Sequence, residues 1–165
     1  SSVMLGYYED EKANKKSLKD GWFYTGDLAK IDEEGYIFIC GRKKSVIVLK
    51  NGKNIFPEEM ENLVNKIEGI KESFIFGKIL SNDENNIKIN VKIVFDRDVI
   101  KDVYKVERDE DIYKVLSKKI KEVNQTMPSY KAIRGIIVSQ EPLIKTTTNK
   151  IKRQANLDEI KKFTN

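Results

Sequence analysis

"IKINVKIVF", Ile87 to Phe95, sets Ile87, Ile89, Val91, Ile93 and Phe95 at alternate positions with mostly polar residues between them. A period of two is that of a strand with one face buried, and the β-branched residues suit a pleated surface. Just upstream, "ESFIFGKIL" (Glu72–Leu80) is a second apolar run, and "SNDENN" (81–86) between them carries turn residues. The two are expected to pair as strands.

Working outward, "PEEMENLVNKI" (57–67) predicts a helix. Pro57 stands at a first-turn position, and Glu58 and Glu59 complement the positive end of the dipole. Met60, Leu63, Val64 and Ile67 recur at helical spacing and predict a face packed on the sheet. Before it, "SVIVLK" (45–50) reads as a strand ended by the turn "NGKN" (51–54). Downstream, Ile112, Val115, Leu116, Ile120 and Val123 mark a second helix, stopped near Pro128. "AIRGIIVSQ" (132–140) reads as a further strand and "RQANLDEIKKF" (153–163) as a short terminal helix. The order after Lys44 is strand, helix, two strands, helix, strand, loop, helix. That is a small α+β domain with helices packed on a sheet. Before Lys44, Leu28–Ile31 and Tyr36–Cys40 flank the turn "DEEG" and predict a β-hairpin. Residues 1–20 read as a short element followed by a loop or weak helix.

At 165 residues, with 39% hydrophobic and 35% charged residues, the chain can bury a core and carries an ionic surface. The net charge of +5 is a mild bias toward anionic partners, which phosphate-bearing small molecules satisfy as well as nucleic acid. The single cysteine, Cys40, excludes a disulfide framework and reads as a buried thiol. The absence of histidine excludes imidazole bases, Ser/His and Cys/His triads and histidine metal sites. No apolar run is long enough to cross a bilayer, and the expected location is cytoplasmic. The start, without Met and running at once into patterned sequence, reads as a piece cut from a longer chain.

Three stretches could carry chemistry. Asp27 in "TGD" is a turn former by default, or a carboxylate that accepts from a ribose diol. Arg42 in "GRKK" is a surface arginine, or a planar fork for phosphate or ribose oxygens. Lys43 and Lys44 stand where a few residues could act as a hinge, and Gly52 could let backbone approach a ligand. "PLIKTTTNKIKR" (142–153) gathers Lys145, Lys150, Lys152 and Arg153, which form a phosphate-binding loop or a solvated basic face. It has no interleaved aromatics of the kind that bind single-stranded nucleic acid.

Together, "YTGD", "GRKK", "NGKNIFPEEME" and "TTTNKIKR", in that order and preceded by "VMLGYYED", resemble the adenylate-forming acyl-CoA synthetases, the AMP-binding ligase superfamily. The resemblance covers essentially the whole chain. It implies that residues 1–42 are the end of the large adenylate-forming domain, and that residues 43–165 form a mobile C-terminal domain. It makes Asp27 the ligand of the ribose hydroxyls, Arg42 a second nucleotide contact, Lys44 the hinge and Gly52 the residue that approaches the pantetheine arm of coenzyme A. Lys150 takes the place of the catalytic lysine that contacts the substrate carboxylate and the α-phosphate. A positioned ammonium offsets the charge that builds where two anions meet, with no proton to transfer.

The implied partners are ATP or AMP, coenzyme A, Mg²⁺ bound through ATP and assignable to no residue here, and a carboxylic acid substrate. Neither nucleic acid nor a transmembrane segment is expected, and a large N-terminal domain would complete the enzyme. Without it these residues alone are expected to be inactive. Many family members have Gly before the catalytic lysine, where this chain has Asn149, a residue that tolerates left-handed backbone. That departure resembles the long-chain fatty acyl subgroup. Two other readings stay open: an adenylation domain that acylates a carrier protein, and a basic nucleic-acid-binding module with no catalytic role.

Overall fold

A computed structural model of the protein describes residues 4–79 and 87–164 and divides into two compact units, one up to Lys44 and one from Ser45. The expected turn at 81–86 lies outside the described residues.

In the first unit, Asp10 caps the short helix α1 (Glu11–Ser17) by accepting from the Ala13 amide at 2.9 Å. A minute hairpin of β1 (Leu18–Lys19) and β2 (Trp22–Phe23) follows. The expected hairpin is present as β3 (Asp27–Ile31) antiparallel to β4 (Ile37–Arg42), with a register shift at Leu28/Ala29. Cys40 is a buried free thiol, whereas Ile31, Ile37, Phe38 and Ile39 are exposed within this chain.

In the second unit, β5 (Ile47–Val48) and β6 (Asn54–Ile55) form a small hairpin, after which Pro57 starts α2 (Pro57–Val64) at its first turn. The "SVIVLK" strand is therefore shorter than its composition suggests, because the chain turns at Leu49 to close the hairpin. The main sheet has the order β7-β8-β9. β7 (Ile70–Ile79) pairs antiparallel with the central β8 (Ile87–Phe95), and β9 (Gly135–Ser139) lies parallel to β8. The parallel crossover runs through α3 (Arg97–Tyr104) and α4 (Asp109–Gln125). Helix α3 is absent from the sequence reading. Its start is set by Asp96, whose side chain accepts from the amides of Asp98 and Val99 at 3.0 and 3.3 Å, and Lys105 ends it in left-handed backbone at φ 56°. The terminal helix α5 spans Arg153–Thr164.

Alternation along the strands sorts the core into two. On one face of the sheet, Ile75, Ile89, Val91, Ile93 and Phe95 pack with Ile55, Met60 and Val64, with Ile100 of α3, and with Ile112, Leu116 and Ile120 of α4. On the other, Phe74, Phe76 and Val94 pack with Leu143 and Ile160, and Ile137, Ile151 and Leu157 lie against them. Helices therefore cover both faces, and α5 has the second to itself among the helices in that cluster. No helix among the described residues is long and apolar enough to cross a membrane.

Candidate active site

Three hairpins share one turn chemistry. At 32–36, 49–53 and 146–150, the first residue's amide donates to the last residue's carbonyl (Asp32 to Tyr36 at 3.1 Å, Leu49 to Lys53 at 3.0 Å, Thr146 to Lys150 at 2.8 Å). In each, the fourth residue's amide donates back to the first residue's carbonyl, and that fourth residue has positive φ: Gly35 at 87°, Gly52 at 76° and Asn149 at 63°. This is a three-residue loop built on a type I turn followed by a left-handed residue. Glycine fits the left-handed position without strain, and asparagine is among the few other residues that tolerate it. Asn149 thus takes the place of a glycine for a local backbone reason. Lys150 follows directly, exposed at the end of the turn, with no ion-pair partner among the described residues. Thr146 shapes this loop further, because its hydroxyl accepts from the Lys150 amide at 3.1 Å and lies 3.0 Å from the Thr148 hydroxyl.

The hairpins of Lys150 and Gly52 belong to opposite faces of the sheet. Leu143 and Ile151, at the base of the Lys150 hairpin, join the Phe74 cluster, whereas Ile47, Leu49 and Ile55, around Gly52, join the Ile75 cluster. Glu72, on the same face as Phe74 and Phe76, accepts from the Leu143 amide at 3.2 Å and pairs with Lys145.

The basic stretch is only partly a solvated face. Lys150 and Lys152 are exposed, but Arg153 turns inward. Its guanidinium donates to Glu61 Oε2 at 2.7 Å and to the Ile75 carbonyl at 3.3 Å, lies 3.2 Å from Glu58 and sits 5.4 Å from the Phe74 ring centroid. Glu61 is buried at 6% exposure and accepts from the Ile75 amide at 2.8 Å through its other oxygen. Burial raises the Glu61 pKa above its ordinary value, outweighing the pull of Arg153 and of the Ile75 amide in the other direction; Glu58 adds to the rise. The acids of "PEEME" are therefore structural ties as well as dipole partners, since Glu59 also binds Lys131 at 2.8 Å. Sequence reasoning missed Glu61. Its signal was a carboxylate one position after Met60 and three before Val64, on the edge of the apolar face of α2.

In the first unit the structure brings Asp27 and Arg42 together. They face each other across β3 and β4, with Arg42 Nε 2.9 Å from Asp27 Oδ1, while Arg42 Nη1 donates to the Thr25 carbonyl at 3.0 Å. The pair is partly exposed and offers acceptor and donor side by side, which fits a vicinal diol. Lys44 lies in a short 3₁₀ turn, Lys43–Ser45, and is the last residue of the first unit. No group of three or more acidic or cysteine side chains among the described residues is placed to hold a metal ion.

The model of the AMP-binding enzyme C-terminal domain matches residues 44–163. The chain belongs to that family. Among relatives of the AMP-binding enzymes, a 2-succinylbenzoate–CoA ligase of Listeria monocytogenes is 30% identical over 152 residues, covering 92% of this chain and 28% of its own. A long-chain-fatty-acid–CoA ligase of Mycobacterium tuberculosis is 40% identical over 75 residues, 46% of this chain and 12% of its own. The solved O-succinylbenzoate coenzyme A synthetase of Bacillus subtilis, in complex with ATP and magnesium, is 26% identical with a TM-score of 0.70, over 94% of this chain and 28% of that one. The chain thus spans less than a third of the length of these relatives. The small α+β architecture is that of the AMP-binding C-terminal domain.

Proposed function

We propose that the chain is the C-terminal part of an ATP-dependent acid–CoA ligase that activates a carboxylate as its acyl-adenylate and then transfers the acyl group to coenzyme A. Membership of the AMP-binding family supports the reaction class. The observation that carries the reading is Lys150: an exposed ammonium on a tightly specified turn, without an ion-pair partner among the described residues. In this reading the residues up to Arg42 end the large domain and the rest is its mobile partner. Asp27 accepts from the ribose hydroxyls, Arg42 holds that carboxylate and adds a nucleotide contact, and Lys150 offsets charge on the acid and the α-phosphate. Magnesium bound with ATP would share that neutralisation.

The second half-reaction uses the other face of the sheet, with Gly52 admitting the pantetheine arm because it presents no side chain. Lys44 is the hinge that exchanges the faces. For the acid, 2-succinylbenzoate is the first candidate, supported by a match that runs over 152 residues. A long-chain fatty acid is the alternative, favoured by Asn149 and by the Mycobacterium relative.

In the full-length enzyme, Lys150→Ala should abolish ATP–pyrophosphate exchange and largely spare thioester formation from supplied acyl-adenylate. Equal loss of both half-reactions refutes the role. Lys44→Pro should do the reverse, and unchanged overall turnover refutes the hinge. Exchange measured with 2-succinylbenzoate, indoleacetate and fatty acids of increasing length decides the acid.

A further inference from the structure

We propose that Asn156 is the positioning residue of the Lys150 hairpin. The proposal rests on reading Lys150 as the cation of adenylation, but its geometry is independent of that reading. Asn156 lies in the first turn of α5, on the stripe that continues through Leu157 and Ile160 into the Phe74 cluster, where an apolar side chain would be expected. It is 0% exposed.

All of its side-chain bonds go to the two stems of one hairpin. Oδ1 accepts from the Ile144 amide at 3.0 Å, and Nδ2 donates to the Ile144 carbonyl and to the Lys152 carbonyl, each at 2.9 Å. The incoming stem is therefore gripped at both its donor and its acceptor, and the outgoing stem at its acceptor. Between the stems, Lys152 donates to the Ile144 carbonyl at 2.9 Å, and Lys145 and Ile151 form a bridge. One acceptor and two donors, in one plane and at this length, are what a primary amide supplies. Aspartate offers no donor, leucine offers neither, and glutamine is a methylene too long.

A buried amide of this kind adds little net stability over a well-packed apolar residue, because its desolvation offsets its bonds. What it adds is register: the stems are held in one relative position, so Lys150 projects from a fixed base. The turn itself specifies only residues 146–150; Asn156 ties that turn to the sheet through α5.

The test uses the full-length enzyme with Asn156→Leu and Asn156→Asp, the second of which keeps the acceptor for the Ile144 amide. Amide hydrogen exchange is followed at Thr146, Asn149, Lys150 and Lys152, with Val91 and Ile93 of β8 as the internal standard. Asn156→Leu should raise exchange in the hairpin by about tenfold, the order expected for one or two net hydrogen bonds, with β8 unchanged. Adenylation should fall by a similar factor, while thioester formation from supplied acyl-adenylate changes by less than about twofold. Asn156→Asp, which sets a buried carboxyl oxygen against the Ile144 and Lys152 carbonyls, should raise hairpin exchange and lower adenylation at least as much as Asn156→Leu. The proposal is overturned if hairpin exchange is unchanged, if it rises only in parallel with β8, or if both half-reactions fall together. Lys150→Ala measured alongside separates the two ideas: if it leaves adenylation intact, the lysine assignment fails, while local exchange still decides whether Asn156 holds the hairpin.

Discussion

Replacing Arg153 by methionine keeps an apolar stem of similar length and removes only the guanidinium. What is lost is the 2.7 Å bond to Glu61, the 3.2 Å approach to Glu58 and the 3.3 Å bond to the Ile75 carbonyl. What remains is a carboxyl at 6% exposure with one donor, the Ile75 amide. Breaking a buried pair by removing one partner costs about 3–5 kcal/mol, and the low end applies here because Glu61 can take up a proton. The direction of the pH dependence follows from the raised pKa of Glu61. A carboxyl whose folded pKa lies above its unfolded value binds its proton more tightly in the native state. Its contribution to stability is therefore full below the ordinary value of 4.5 and is lost as pH rises through the folded pKa. Without Arg153 that pKa moves higher still, so the variant should lose about 3 kcal/mol at pH 7 and less at pH 5, where a protonated Glu61 strands no charge. Urea unfolding at the two pH values measures both losses. In a Glu61→Gln background the same arginine change should cost less, because no carboxylate is stranded. A loss below about 1 kcal/mol at pH 7, or one that is the same in both backgrounds, refutes the reasoning.

Two further outcomes follow from backbone geometry. Asn149→Gly should leave stability within about 1 kcal/mol of wild type, whereas Asn149→Val, forced to a φ of 63°, should cost about 1–3 kcal/mol by thermal unfolding; equal effects would remove the case for a left-handed residue. Gly69→Ala combines a φ of 86° with a new methyl only 2.5 Å from Ile100 Cδ1, so it should destabilise by about 2 kcal/mol or more, and a neutral result would mean that α3 can slide on the sheet.

How much of this was legible in the sequence depended on whether a signal was local. The β7–β8 pair, helices α2 and α4, the first-unit hairpin and α5 were readable because period and turn residues lie within each segment. Helix α3 was missed because its apolar face is short, with Ile100 alone fully buried in it, so its start rests on the Asp96 cap rather than on periodicity. The two-sided sheet was hidden because β7 has adjacent apolar residues, Phe74, Ile75 and Phe76, that serve different clusters. At the candidate site, Lys150, Asp27, Arg42, Lys44 and Gly52 could be named from motif order. Glu61 and Asn156 could not, since each looks like an ordinary polar helix residue until the partner 14 or 12 positions away is placed beside it.

The position of Arg153 has one more consequence. β7 is an outer strand of ten residues and is rich in isoleucine and phenylalanine, the kind of border that recruits strands from other molecules. At its middle, the outward amide and carbonyl of Ile75 are already taken by Glu61 and Arg153. An incoming strand would have to displace a charged pair to continue the ladder. The side chain that ties α5 to α2 thus also guards the molecule against self-association, and variants that loosen it should aggregate from the native state, before global unfolding.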